Sequence, residues 1–209
     1  LKVGERGGID IDYHCRTSDS DIFAIGECAL FGGRIYGLVA PGYRMAEAAV
    51  SQLGDDPIAF HGADMSTKLK LLGVDVGSIG DAHGKAEGSV AYTFSDERIE
   101  VYKRLIVSAD GKKLLGAVLV GDCSDYDTLL QYFLNDIDLP ANPESLVLPY
   151  SVGEAPSLGA AALPASATIC SCHNVSKGDI VASLDAGSCS LADVKSETKA
   201  ASGCGGCAA

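Results

Sequence analysis

The chemistry in this sequence is concentrated in cysteine. Five of its eight cysteines fall within the last forty of 209 residues: Cys170 and Cys172 as a C-x-C pair, Cys204 and Cys207 as a C-x-x-C pair, and Cys189 between them. Iron in a sulfide cluster takes four thiolates, and two loops that each bring two satisfy it. Zinc also accepts four cysteines, but its structural sites favour C-x2-4-C on both sides, so the C-x-C spacing favours iron–sulfur. Disulfides are the remaining use. They fit poorly, because Cys15, Cys28 and Cys123 stand alone and the N-terminus has no export-signal pattern. Glycines at 203, 205 and 206 let backbone amides approach the sulfurs of Cys204 and Cys207, where hydrogen bonds help set a potential. Cys189 is expected to be a small buried residue, and His173, beside Cys172, to play a supporting or exposed role.

The flanking elements must hold the two loops together. Ser176 with Asp179 and Ser190 with Asp193 have capping-box spacing and predict two short helices, the first carrying Ile180, Val181 and Leu184, the second Leu191 and Val194. Gly187 and Gly203 are the expected stops. A lobe this small has little core, so a metal would also staple it.

Upstream, residues 21–25 form a strand-like run ending at Gly26, and a helix is predicted from near Pro41 to Gly54. Two β-rich runs, 101–107 and 114–120, flank Asp110-Gly111 and predict a hairpin with a type I′ turn. Residues 88–94 supply a third strand. Ser124 with Asp127 predicts a capped helix carrying Leu129, Leu130 and Phe133. Five of the seven prolines lie in residues 139–166, which reads as an extended linker. The fold class is therefore α+β: a first zone at 1–57, an antiparallel-sheet-and-helix domain at 58–138, the linker at 139–166, and a small helical metal domain at 167–209.

Lys plus Arg number 16 against 28 Asp plus Glu, a net charge of −12, which disfavours nucleic acid. No run of eighteen apolar residues predicts a membrane span. The start at Leu1 without an initiator Met reads as part of a longer protein, and the compartment is expected to be cytoplasmic.

At this point the residues resemble known families. Ile169-Cys170-Ser171-Cys172-His173-Asn174-Val175-Ser176, with Thr198-Lys199-Ala200 and Gly203-Cys204-Gly205-Gly206-Cys207, is similar to the bacterioferritin-associated-ferredoxin type of 2Fe–2S domain. That resemblance implies Cys170, Cys172, Cys204 and Cys207 as cluster ligands. The chain ends two residues after Cys207, where that family continues into a further helix. The stretch from Thr17 to Ala29, with Ile25-Gly26-Glu27, resembles the second flavin motif of pyridine nucleotide–disulfide oxidoreductases, which implies that Gly26 and Glu27 meet FAD, the acid at a ribityl hydroxyl.

Further stretches resemble the large subunit of NADH-dependent nitrite reductase: Ile35 to Tyr43, Gly62 to Val76, Tyr102 to Val107 and Gly116 to Asp122. The resemblance implies a remnant of an FAD domain, a rubredoxin reductase-like C-terminal domain and the 2Fe–2S domain, in family order. It implies an electron relay from FAD to a sirohaem–4Fe–4S domain that reduces nitrite to ammonia, with NADH and sirohaem bound elsewhere in the polypeptide and no catalytic residue here. The implied partners are the rest of that polypeptide and the reductase small subunit. No G-x-G-x-x-G opens a helix after a strand, so neither dinucleotide cradle is present. Two rivals stay open: the electron-transfer subunit of an assimilatory nitrate reductase, and a zinc-stabilised interaction module.

Overall fold

The structure is a computed structural model that describes residues 1–5, 7–148, 158–203 and 207–208. The chain divides into two compact units, Leu1–Met65 with Ile169–Ala209, and Ser66–Thr168. The α+β class read from the sequence holds.

In the first unit, β1 (Ile9–Asp10) pairs parallel with β2 (Ala29–Phe31), which pairs antiparallel with β3 (Arg34–Ile35). Helix α1 spans Val39–Ser51, with Pro41 in its first turn, where proline's missing N–H costs nothing. It buries Met45 and Ala48 against Cys15, Ala24, Ala29, Tyr36 and Phe60. Tyr13, Phe31, Phe60 and Tyr36 make successive edge-to-face contacts with centroids 5.2–5.4 Å apart, the geometry the aromatic quadrupole favours. The strand expected over 21–25 does not form. Phe23 bridges only to Arg16, and Asp19 and Thr17 draw the preceding residues into side-chain-bonded turns.

The second unit is a five-stranded antiparallel sheet in the order β4-β5-β8-β7-β6: β4 Thr67–Leu71, β5 Val74–Gly80, β6 Val90–Asp96, β7 Val101–Val107 and β8 Leu114–Gly121. The predicted β7–β8 hairpin and the third strand are both present. The turn differs from type I′, since Gly111 has positive φ and Asp110 does not; the loop runs through Lys113, and Ser108 accepts the Gly111 N–H at its carbonyl. Helix α2 (Tyr126–Leu134) lays Tyr126, Leu129 and Tyr132 on Ile79, Leu105, Ala117 and Leu119. The capping box expected at Ser124 is absent: Asp125 is the N-cap and makes no capping bond. Its carboxylate is taken by Lys103 instead, at 2.7 Å.

Part of the proline-rich stretch also departs from an extended linker. Leu139, Leu146 and Val147 are buried in this unit's core. Residues 149–157 of that stretch lie outside the described residues.

Candidate metal centre

Strand β9 (Thr168–Cys170) delivers Cys170 to a tight turn, and β10 (Val175–Ser176) returns from it. Asn174 takes positive φ there, a conformation asparagine accepts better than most residues. Cys170 and Cys172 are 2 % and 1 % exposed, so both thiols of the C-x-C pair face inward. Both predicted capping boxes form. Ser176 accepts the Asp179 N–H and Asp179 accepts the Ser176 N–H, opening α3 (Lys177–Asp185); Ser190 and Asp193 do the same for α4 (Leu191–Thr198). These bonds hold both carboxyls below the usual carboxylate range: for Asp179 the Ser176 backbone N–H and then its hydroxyl, for Asp193 the Ser190 hydroxyl and then the Cys189 N–H. The caps lock the entry to each helix.

Helix α4 ends earlier than the expected Gly203 stop. Lys199 adopts a left-handed conformation at the cap, and the Thr198 hydroxyl donates to Val194 while accepting the Ala200 N–H. Ala201 is also left-handed. The chain thereby doubles back, and Ala200 is buried with Cys170, Cys172 and Val175, with Ile180, Ala40 and half-buried Cys207 packed against them. A Cβ added at Gly203 would lie 3.1 Å from Cys172 Cβ and 3.5 Å from its sulfur. The backbone entering the second loop thus rests directly on the first. Cys204, Gly205 and Gly206 lie outside the described residues, and among the described residues no three potential ligands form a metal-holding group. The residues fit a four-thiolate centre in kind, since all four cysteines are soft donors. Cys170, Cys172 and Cys207 share one small apolar cluster, and Gly203, which precedes the fourth cysteine, abuts Cys172.

One other cysteine reading changes. Cys189 is exposed, with its thiol on the Gly187 carbonyl, because the turn between α3 and α4 directs it outward. Cys15 is buried, and that burial, then the charge of Asp12, pushes its thiol up to about 11, which leaves it unreactive. His173 is half-buried. Its Nε2 lies 3.2 Å from Ser202 Oγ and its ring lies 5.5 Å from that of Tyr43 in α1. No spacing in the sequence links Tyr43, Ser202 and His173; only the fold joins them.

Gly26 and Glu27 sit in a 3-10 turn, Gly26–Cys28. Gly26 has positive φ and donates its N–H to Met45 Sδ. Glu27 is exposed, with its carboxylate over Gly37, where a Cβ would come within 2.9 Å of Oε1.

Elsewhere the sheet holds a charge cluster the sequence reading missed. Lys103, 4 % exposed, bonds Asp122 and Asp125, each at 2.7 Å. Burial pulls the Lys103 pKa down, but the two carboxylate bonds outweigh it and hold it above its usual value. Burial would likewise raise Asp122, yet Lys103 and then Ser124 hold it at about 2. A lysine on the same strand face as Leu105 and Val107 was the available signal.

Comparison with known proteins gives two separate family matches. Residues 66–137 match the rubredoxin NAD+ reductase C-terminal domain, and residues 168–209 match the BFD-like 2Fe-2S binding domain. The two matches cover separate stretches of the chain, the second of them containing all four cysteines of the C-x-C and C-x-x-C pairs. Along its whole length it is similar to nitrite reductase large subunits: 60 % identical over 210 residues to that of Klebsiella oxytoca (100 % of this chain, 22 % of that protein). The NADH enzyme's large subunit from Escherichia coli K12 is 59 % identical over 208 residues (99 % and 25 %). The assimilatory nitrate reductase electron transfer subunit of Bacillus subtilis 168 is 35 % identical over 202 residues (96 % and 25 %). The chain spans about a quarter or less of the length of these relatives. Among the described residues no helix is long and apolar enough to cross a membrane.

Proposed function

We propose that this chain is the electron-relay section of an NAD(P)H-dependent nitrite reductase. It would lie between an FAD domain, of which residues 1–57 are the end, and a sirohaem domain elsewhere in the polypeptide. The observation that carries the reading is the convergence of Cys170, Cys172 and Cys207 in one apolar cluster, with Gly203 against Cys172. Cys204 completes the ligand set. When bound, a 2Fe–2S centre accepts and releases one electron at a time, which suits a position between a two-electron flavin and a one-electron acceptor.

The chain's own residues have supporting work. The two capping boxes fix the loops, and the buried pair Cys170–Cys172 keeps water from the sulfurs, which tunes potential. Gly26 and Glu27 stand at the flavin's edge, where the carboxylate receives a sugar hydroxyl. NADH and sirohaem belong to other regions, the small subunit is a partner, and the compartment is the cytoplasm. The match to the Bacillus subtilis electron transfer subunit supports a second reading, in which the same relay serves assimilatory nitrate reduction.

The test is a redox titration of the anaerobically reconstituted chain. One electron per chain, with reversible bleaching of visible absorption and an S = ½ signal on reduction, is the expected result. A colourless protein holding stoichiometric zinc would overturn the relay and favour an interaction module.

A further inference from the structure

His173 follows a cysteine of the first loop directly, and its side chain reaches two other parts of the same unit. Ser202, in the approach to the second loop, places its hydroxyl 3.2 Å from Nε2. That hydroxyl has one proton, and it donates it to the Lys199 carbonyl at 2.7 Å. Towards His173 the oxygen is therefore an acceptor, so Nε2 carries the hydrogen and donates. The ring itself stacks at a 36° tilt on Tyr43, which projects from the first turns of α1. One turn of backbone earlier, Ala40 packs on the group formed by Cys170, Cys172, Val175 and Ala200. The imidazole is thus the point where first loop, second loop and α1 meet.

We propose that His173 is a positioning residue with two separable roles. Its Nε2–H bond to Ser202 sets the spacing of the two cysteine loops. Its stack on Tyr43 fixes the cysteine lobe against α1, the helix that follows the proposed flavin turn at Gly26–Cys28. The proposal rests on the relay reading for its purpose, since a relay needs a fixed separation between donor and acceptor. Its physical content is a clamp made of the His173–Ser202 and His173–Tyr43 contacts.

Four variants of the full chain separate the roles: His173→Ala, His173→Gln, Tyr43→Ala and the double variant that combines His173→Ala with Tyr43→Ala. Amide hydrogen exchange of residues 39–45 reads the clamp. Electron paramagnetic resonance of the reduced, reconstituted chain reads the loop spacing. An aromatic pair predicts that exchange in 39–45 rises about two- to ten-fold in His173→Ala and in Tyr43→Ala, and that the double variant adds nothing further. The g-values should move in His173→Ala and return in His173→Gln, whose amide N–H restores the Ser202 bond; exchange in 39–45 should stay raised in that variant.

Unchanged exchange in both single variants, or additive effects in the double one, would overturn the clamp. Unchanged g-values in His173→Ala would overturn the loop-spacing role. Failure of the unsubstituted chain to take up iron would overturn the relay reading instead, and the exchange comparison would still decide the clamp. Should His173→Ala fail to fold, the Tyr43→Ala and His173→Gln exchange profiles decide it in the same way.

Discussion

Replacing Lys103 with Met removes an ammonium that two carboxylates share, at nearly constant volume. Breaking a buried ion pair costs about 3–5 kcal/mol, because the partner is left charged in a poor solvent. Here the two carboxylates differ. The Asp125 side chain is 13 % exposed and cannot rehydrate fully, whereas that of Asp122 is 45 % exposed and can. The lower end of the range follows, about 3 kcal/mol, or roughly 12–24 °C in Tm for a unit of this size. Asp122→Asn should cost less than about 1 kcal/mol, because water already screens that bond.

The pH sign is also fixed. Asp122 is depressed from 3.8 to about 2, so its contribution is full above the ordinary carboxylate range and is lost as pH falls from about 4 to about 2. Lys103→Met should flatten that slope. The chain has no tryptophan, so native-state hydrogen exchange of β7 and β8 in increasing urea is the suitable assay. A Lys103→Met protein within about 0.5 kcal/mol of the parent, or an Asp122→Asn protein equally destabilised, would refute the argument.

Further substitutions test the local physics. Ser176→Ala and Ser190→Ala should each destabilise the cysteine lobe by about 1 kcal/mol in chemical denaturation. Because Asp179 and Asp193 are held below their usual pKa, both boxes should weaken as pH falls through the acid range, seen as lost helical dichroism below about pH 4. Lys199→Gly relieves a left-handed lysine at the α4 cap and should stabilise the lobe by up to about 1 kcal/mol, read as a raised denaturation midpoint. A Cβ at Gly116 would fall inside contact distance of the Asp81 backbone, which has no flexible end to move. Gly116→Ala should therefore cost about 1–3 kcal/mol in the same assay.

How legible this molecule was depended on whether a feature is local. The boxes at Ser176 and Ser190 formed as spaced, because all four groups lie within one turn and nothing competes for them. The third, at Ser124, failed because lysines far off in sequence claim the acids at the helix start, Lys68 taking Asp127 and Lys103 taking Asp125. The hairpin around Asp110-Gly111 was readable, but its turn type was not: Leu114 pairs with Val107 across a register shift that skips Leu115, and residues 108–113 form the loop. Residues 21–25 had strand composition, yet a strand needs a neighbour, and Phe23 finds only a single bridge to Arg16. The cysteine pairs were plain from spacing. Their surroundings were not, since Ala40 reaches their cluster, and Tyr43 reaches His173, from α1 only through the fold.

The ligand set itself is most directly tested by counting iron and acid-labile sulfide in anaerobically reconstituted protein, before and after single cysteine changes. The unsubstituted chain should hold about two irons and two sulfides, and Cys204→Ser should lose or strongly perturb the cluster. Cys189→Ser, at an exposed thiol in the turn between α3 and α4, should leave the count and the S = ½ signal unchanged. Equal loss from Cys204→Ser and Cys189→Ser, or full retention in both, would contradict the assignment of Cys170, Cys172, Cys204 and Cys207 as the four ligands.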